Sequence, residues 1–155
     1  MKSISLFVFS ILWSYSTQAF NYVLDLKKNE GRYELVAEES DYYCFKASQL
    51  YLRVSGTQVT IQVSEPETTP QTEVIAGINT SHYTEAQYLG AIVYTRYVFK
   101  NGQLKAQEKT LPFLPIPSKY KDSRTILSIL GNGKIEYNYS SFGDTMCRYI
   151  RVSIL

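Results

Sequence analysis

Residues 88–110 read YLGAIVYTRYVFKNGQLKAQEKT, and the pair Asn101-Gly102 divides them into two extended segments. Asn-Gly supplies the positive φ angles that a two-residue hairpin turn needs. The first segment, Tyr88–Lys100, is apolar on both faces of an extended chain, and the second is Gln103–Thr110. The stretch therefore predicts a β-hairpin with a long, apolar first strand.

Similar strand signals continue along most of the chain. Alternation of apolar and polar residues predicts strands with one apolar and one wet face, as in an antiparallel sheet with a solvated side. Alternation or flanking turns place these strands at 32–38, 50–54, 58–63, 124–130, 134–140 and 146–154. The turn signals Ser55-Gly56 and Gly131-Asn132-Gly133 join strands that are neighbours in the sequence.

The strand pattern predicts an all-β domain of eight to ten strands. An open sheet of this size leaves unpaired edges, so such sheets usually close into a barrel or split into two layers. Because the predicted hairpins are all local, an antiparallel up-and-down barrel is favoured, with a β-sandwich as the alternative. Two polar or proline-containing segments, 64–71 and 111–122, are predicted as irregular connections.

The first nineteen residues have the composition of a secretory signal peptide. Lys2 precedes a short apolar run, and small or polar residues lead to Ala19. A membrane anchor is the alternative, but the run is shorter than the roughly 20 residues that a spanning helix needs. Cleavage after Ala19 leaves one domain, residues 20–155, in the periplasm or outside the cell, with no stable membrane insertion.

The composition excludes several classes of function. Formal net charge is +2, which gives no reason to expect a nucleic-acid partner. His82 is the single histidine, and no metal or cofactor motif is present, so we expect no metal site, no cofactor and no enzymatic activity. Cys44 and Cys147 are the only cysteines, and an oxidising compartment favours a disulfide between them over a catalytic thiol.

Both ends of the predicted domain resemble lipocalin-type barrels. Gly31-Arg32-Tyr33 is similar to the Gly-x-aromatic opening of the first strand, although that family has Trp where this chain has Tyr33. The last strand carries Arg148 and Arg151, and the resemblance implies that one of them packs over the aromatic ring of Tyr33. It also implies binding of a small apolar molecule inside the barrel, or inhibition of an enzyme.

The sequence thus predicts a non-enzymatic binding protein for a small apolar or aromatic ligand. Fourteen tyrosines agree with this prediction, because a tyrosine has an apolar ring and a polar tip, but the strand propensity of tyrosine is the alternative explanation of their number. The candidate ligand-lining residues are the inward-facing Tyr33, Leu35, Leu52, Ile61, Val93, Tyr137 and Tyr139. The alternative is a protein-interaction or inhibitor module with a filled barrel, acting through the loops 64–71, 79–87 and 111–122.

Overall fold

The computed structural model describes residues 24–64, 69–88, 90–111, 119–139 and 145–153. Their main elements are ten β-strands and two short 3₁₀ helices, and residues 24–27 are helical. The 3₁₀ helices are Ala37–Glu39 and Tyr42–Lys46. The strands are β1 Gly31–Leu35, β2 Gln49–Ser55, β3 Gln58–Ser64, β4 Gln71–Ile75, β5 Thr84–Tyr88, β6 Ala91–Lys100, β7 Gln103–Leu111, β8 Lys121–Gly131, β9 Lys134–Tyr139 and β10 Thr145–Ser153.

All ten strands belong to one antiparallel sheet, in the order β4-β3-β2-β1-β10-β9-β8-β7-β6-β5. Strands that follow one another in the sequence are neighbours, and β1 pairs with β10. The sheet is open between β4 and β5. The all-β class, the antiparallel arrangement and the strand number are therefore confirmed. In the described part of the chain, no helix has the length and apolar character that crossing a membrane requires.

Two strands and several boundaries differ from the sequence prediction. β1 ends at Leu35 instead of residue 38, because a 3₁₀ helix follows it, and β8 begins at Lys121, inside the segment 111–122 that was predicted as irregular. The strand predicted from Tyr88 begins instead at Ala91, because the chain turns at Gly90, where φ is 79°. Tyr88 ends β5, which occupies much of the segment 79–87 that was predicted as a loop. β4 was not predicted as a strand either. All five residues of β5 are exposed, so it lacks the alternation that marks a half-buried strand.

One face of the sheet, the core face, carries most of the buried side chains. Alternate residues of β2 and β3 are buried, as are large aromatic residues of β1 and β10. The largest fully buried side chains are Tyr33, Tyr149, Phe99, Leu26, Leu50, Leu52, Ile61, Ile75, Leu104, Ile126, Leu127 and Ile135. The opposite, outer face carries most of the charged residues of the strands.

The predicted disulfide between Cys44 and Cys147 is present, with Cα atoms 5.5 Å apart. It joins the 3₁₀ helix Tyr42–Lys46 to the core face of β10, and both cysteines are fully buried. A backbone hydrogen bond of 2.8 Å from Val36 to Arg148 also holds this connection against β10. The chain between β1 and β2 is therefore attached to β10 by both covalent and hydrogen bonds.

The connection between the two edge strands is also held in place. Asn79 lies between β4 and β5, and its amide side chain bonds the backbone of Phe99: Nδ2 donates to the carbonyl and Oδ1 accepts from the N–H. The backbone N–H of Ile78 donates to Thr57 in the turn between β2 and β3. The connection between β4 and β5 therefore links the β2–β3 turn to β6.

Candidate functional site

A charged and phenolic cluster lies on the core face, which carries most of the buried apolar side chains. The carboxylate of Glu73 on β4 accepts a hydrogen bond of 3.1 Å from Arg124 on β8 through Oε1. Its Oε2 accepts a bond of 2.9 Å from the hydroxyl of Tyr137 on β9. Tyr97 on β6 is close enough to interact electrostatically with both Glu73 and Arg124. We call these four residues the Glu73 cluster.

Strand register explains how the Glu73 cluster forms. Glu73 is paired with Ile61, so it occupies the core-face position of β4. Arg124 and Tyr97 lie on either side of Ala106, in one row across β8, β7 and β6. Since Glu73 reaches Arg124 although β4 and β8 are far apart in the strand order, the core face of one half of the sheet must turn toward the other half.

Both phenols of the cluster are held in the neutral form. Burial, and then the negative charge of Glu73, raise the pKa of Tyr137 far above its ordinary value. The same two causes, in the same order, raise the pKa of Tyr97. A neutral phenol is both a donor and an acceptor of hydrogen bonds. The cluster therefore combines two phenols with an ion pair whose charges cancel.

The Glu73 cluster is accessible, whereas the core beside it is not. The side chains of Glu73 and Arg124 keep 30% and 29% of their surface exposed. By contrast, Tyr33, Leu52 and Ile61 have no exposed surface at all, which means that no water-sized space adjoins them. Open space on the core face therefore adjoins the cluster and not these three residues.

The remaining candidate ligand-lining residues are distributed along the same face. Leu35 and Val93 are half-buried. Tyr137 is a member of the Glu73 cluster and is 5% exposed. Tyr139 ends β9, but its side chain is outside the described residues. The structure thus groups Tyr137 with two charged residues and leaves Tyr33, Leu52 and Ile61 as closely packed core.

The two candidate arginines of β10 lie on opposite faces. Arg151 is paired with Tyr33 across β1 and β10, and it donates a hydrogen bond of 2.8 Å to the carbonyl of Lys28. Arg148 lies on the outer face, where its guanidinium bonds the carboxylates of Glu39 and Glu136. Arg151 is therefore the arginine beside Tyr33.

The loops predicted as partner surfaces are described in part. Residues 65–68 and 112–118 are outside the described ranges. His82, in the segment 79–87, is exposed and lies against Gly77. No group of histidine, cysteine, aspartate and glutamate side chains suited to a metal ion occurs among the described residues.

A second exposed feature is the 3₁₀ helix Tyr42–Lys46, which we call the aromatic turn. Tyr42, Tyr43 and Phe45 are 80%, 57% and 53% exposed. The ring of Tyr42 makes edge-to-face contacts with the two other rings, at centroid distances of 5.9 and 5.7 Å. Cys44, between them, is joined to β10. The disulfide therefore presents three aromatic rings from a fixed turn.

Sequence reasoning did not identify Glu73 or Arg124 as site residues. The available signal was the phase of β4, where Glu73 precedes the apolar Ile75 by two residues and thus shares its face. The pairing with Arg124 had no local signal, because 51 residues separate the two positions.

Comparisons of this chain with protein-family models, with curated proteins and with solved structures found no match.

Proposed function

We propose that this chain is a secreted or periplasmic, non-enzymatic protein that binds a small apolar or aromatic molecule on the core face of its sheet. The observation that carries the proposal is the Glu73 cluster. Buried polar side chains in a folded domain normally have all their hydrogen-bonding groups paired. Here Glu73 and Arg124 remain about one-third exposed on the face that carries most of the buried apolar side chains. An apolar site with a few convergent polar groups is the usual chemistry of a small-molecule site.

The chemistry of the cluster indicates what the ligand carries. Apolar and phenolic surface favours an apolar or aromatic body. The phenols of Tyr97 and Tyr137 are neutral, and the charges of Glu73 and Arg124 compensate each other. A ligand with one neutral hydrogen-bonding group, such as a hydroxyl or carbonyl, suits this environment better than an ionised ligand, which would add an unpaired charge.

We propose that the sheet forms a lipocalin-like, up-and-down barrel when the ligand is bound. Two observations support this over a sandwich. The strand order is continuous from β5 through β10 and β1 to β4, so the single opening lies between consecutive strands. The hydrogen bonds of Asn79 and Ile78 already connect β6 and the β2–β3 turn across that opening.

The proposed location rests on the signal-like first nineteen residues, which are outside the described residues, and on the disulfide. Structural disulfides persist in oxidising compartments. The bond between Cys44 and Cys147 is buried at both ends and is compatible with export.

Native mass spectrometry of gently purified protein tests this function. We expect a small molecule that is released on activation, and competition by an uncharged, environment-sensitive aromatic dye such as N-phenyl-1-naphthylamine. Arg124→Gln should weaken dye binding, because it leaves the Glu73 charge uncompensated. The matched control is Arg53→Gln, on the exposed outer part of β2. A dye that binds the wild-type protein and both variants equally, or does not bind at all, would contradict the proposal.

A protein-interaction or inhibitor module is the second candidate, and the aromatic turn favours it. Aromatic residues that are exposed and rigidly held are typical centres of protein interfaces. Tyr42→Ala combined with Phe45→Ala should then abolish capture of a protein partner and leave dye binding unchanged. Loss of dye binding without loss of partner capture would argue against this second function.

A further inference from the structure

The outer face of β6, β7 and β8 carries an open groove that plays no part in the function proposed above. Its volume is about 140 Å³, and its lining is mainly polar. The lining residues are Val98, Lys100, Asn101, Gln103, Lys105, Gln107 and Asp122. Sites for complete drug-sized ligands begin at roughly 300 Å³. The groove therefore suits one small unit of a longer ligand, and we call it the outer groove.

A chain of hydrogen bonds fixes the floor of the outer groove. Gln107 donates to the carboxylate of Asp122 at 2.8 Å, and its carbonyl oxygen accepts from Nε of Arg96 at 3.1 Å. The ammonium of Lys105 lies 3.0 Å from the second oxygen of Asp122. The planar guanidinium, amide and carboxylate groups are thus connected before any ligand binds, which reduces the entropy lost on binding.

Aromatic rings continue the groove along β6. The guanidinium of Arg96 lies 4.1 Å from the ring centre of Tyr120. Two residues further, Tyr94 contacts Tyr83 edge to face at 4.9 Å, and Glu85 on β5 is paired directly with Tyr94. From Tyr94 to Lys100 the strand extends about 20 Å. The face thus offers a line of rings and planar polar groups.

The side chains of this face identify a class of ligand. Val98 is the one apolar member of the groove lining, so a lipid or hydrocarbon has little to contact. Asp122 and Glu85 lie among the four cations Arg96, Lys100, Lys105 and Lys109 of this face, and this mixture of charges disfavours a polyanion. A sugar presents hydroxyls to planar donors and acceptors, and C–H faces to tyrosine rings. We propose that the outer face of β6–β8 binds a neutral oligosaccharide.

The test is a titration of isotope-labelled, disulfide-bonded protein followed by amide NMR shifts. The probes are cellotetraose, maltotetraose, chitotetraose and, as a polyanion, a heparin-derived tetrasaccharide, each at millimolar concentration. We expect at least one neutral probe to shift amides of β6 and β7, and amides of the Glu73 cluster on β4 and β9 to stay unchanged. The two sets of amides distinguish the oligosaccharide site from the core-face site. If the core face binds no ligand, the shifts expected for β6 and β7 are unaffected.

Two variants and one control make the assignment specific. Arg96→Ala and Tyr83→Ala should each lower the affinity for the neutral probe by about tenfold. Tyr83 is 51% exposed, so its loss leaves the fold intact. Tyr51 also lies on the outer face, but on β2, and Tyr51→Ala should leave the affinity for the probe unchanged. The proposal is overturned if no neutral probe shifts β6 or β7, if only the heparin fragment does, or if the variants bind as tightly as the wild type.

Discussion

Arg151 lies directly across the β1–β10 pair from Tyr33, and the two side chains hold the same short segment of backbone. Arg151 donates to the carbonyl of Lys28, and the hydroxyl of Tyr33 donates to the carbonyl of Asn29. This segment follows Leu26, which is 1% exposed and belongs to the core. Tyr33 and Arg151 therefore position Leu26 against the end of the core at which β1 begins.

The first prediction concerns this attachment. Arg151→Met should keep the aliphatic packing beside Tyr33 but remove the hydrogen bond to Lys28. We expect amide hydrogens of residues 26–29 to exchange faster, while those of β2 and β3 keep their protection, because local opening needs less free energy than global unfolding. Hydrogen exchange measured by NMR checks this. Unchanged exchange at residues 26–29 would show that the Arg151 hydrogen bond does not hold the segment.

The second prediction concerns the disulfide. Replacing Cys44 and Cys147 together by alanine removes a cross-link between residues 103 positions apart. The chain-entropy argument predicts a loss of about 2–5 kcal/mol in the free energy of unfolding. Urea unfolding of the variant and of the oxidised wild type measures the difference. Equal midpoints would mean that the unfolded chain is already restrained without the bond.

The third prediction concerns Gly31, where φ is 155° and an added Cβ would collide with the carbonyl oxygen of Ser153. Gly31→Ala should lower the free energy of unfolding by about 1–3 kcal/mol and disturb the β1–β10 pair. Gly56→Ala is the matched control, since Gly56 also has positive φ but nothing lies within 4 Å of its added Cβ. Thermal unfolding should therefore show a larger loss for Gly31→Ala; the reverse order would refute the argument.

The fourth prediction is a dependence of stability on alkaline pH. Burial and Glu73 raise the pKa of Tyr137 and Tyr97 above their ordinary value of 10.0, which applies in the unfolded chain. The folded state therefore holds these protons more tightly than the unfolded state. The resulting stability is fully present below pH 10 and is lost as pH rises toward the folded-state pKa values.

Urea unfolding measured from about pH 8 to about pH 11 tests this dependence. Tyr137→Phe should lose about 1 kcal/mol at neutral pH, for the missing hydrogen bond to Glu73. It should also lose less stability than the wild type as the pH rises, since it lacks one of the two phenols whose pKa is raised. Parallel pH profiles for the two proteins would show that Tyr137 does not contribute to the alkaline loss.

Local pattern was sufficient for most of the fold. Val59, Ile61 and Val63 alternate with polar residues, and they line the core face as that alternation predicts. The turn at Asn101-Gly102 also follows from local chemistry, since both residues have positive φ. β4 escaped prediction because Glu73 occupies a core position that an apolar residue would normally mark.

The candidate site was less predictable, for a physical reason. Glu73 is hydrogen-bonded on the core face by partners on β8 and β9, and Tyr137 is 64 residues away in the sequence. A charge at an inward-facing position is unfavourable unless such partners are present, and the sequence of one strand does not show them. The pattern of one strand therefore cannot reveal it. The disulfide was predictable because the choice of partner was limited to one.

The pairing of β1 with β10 also determines how the chain reaches this fold. Of the nine pairings among the described strands, eight join consecutive strands, whose residues are comparatively close in the sequence. The β1–β10 pair alone brings together segments more than 100 residues apart, as in Leu35 against Tyr149. Contacts of this separation slow folding, because the loop entropy is lost before the contact is gained. Two local meanders, β1–β4 and β5–β10, can thus form independently, and the sheet is completed when the first strand meets the last.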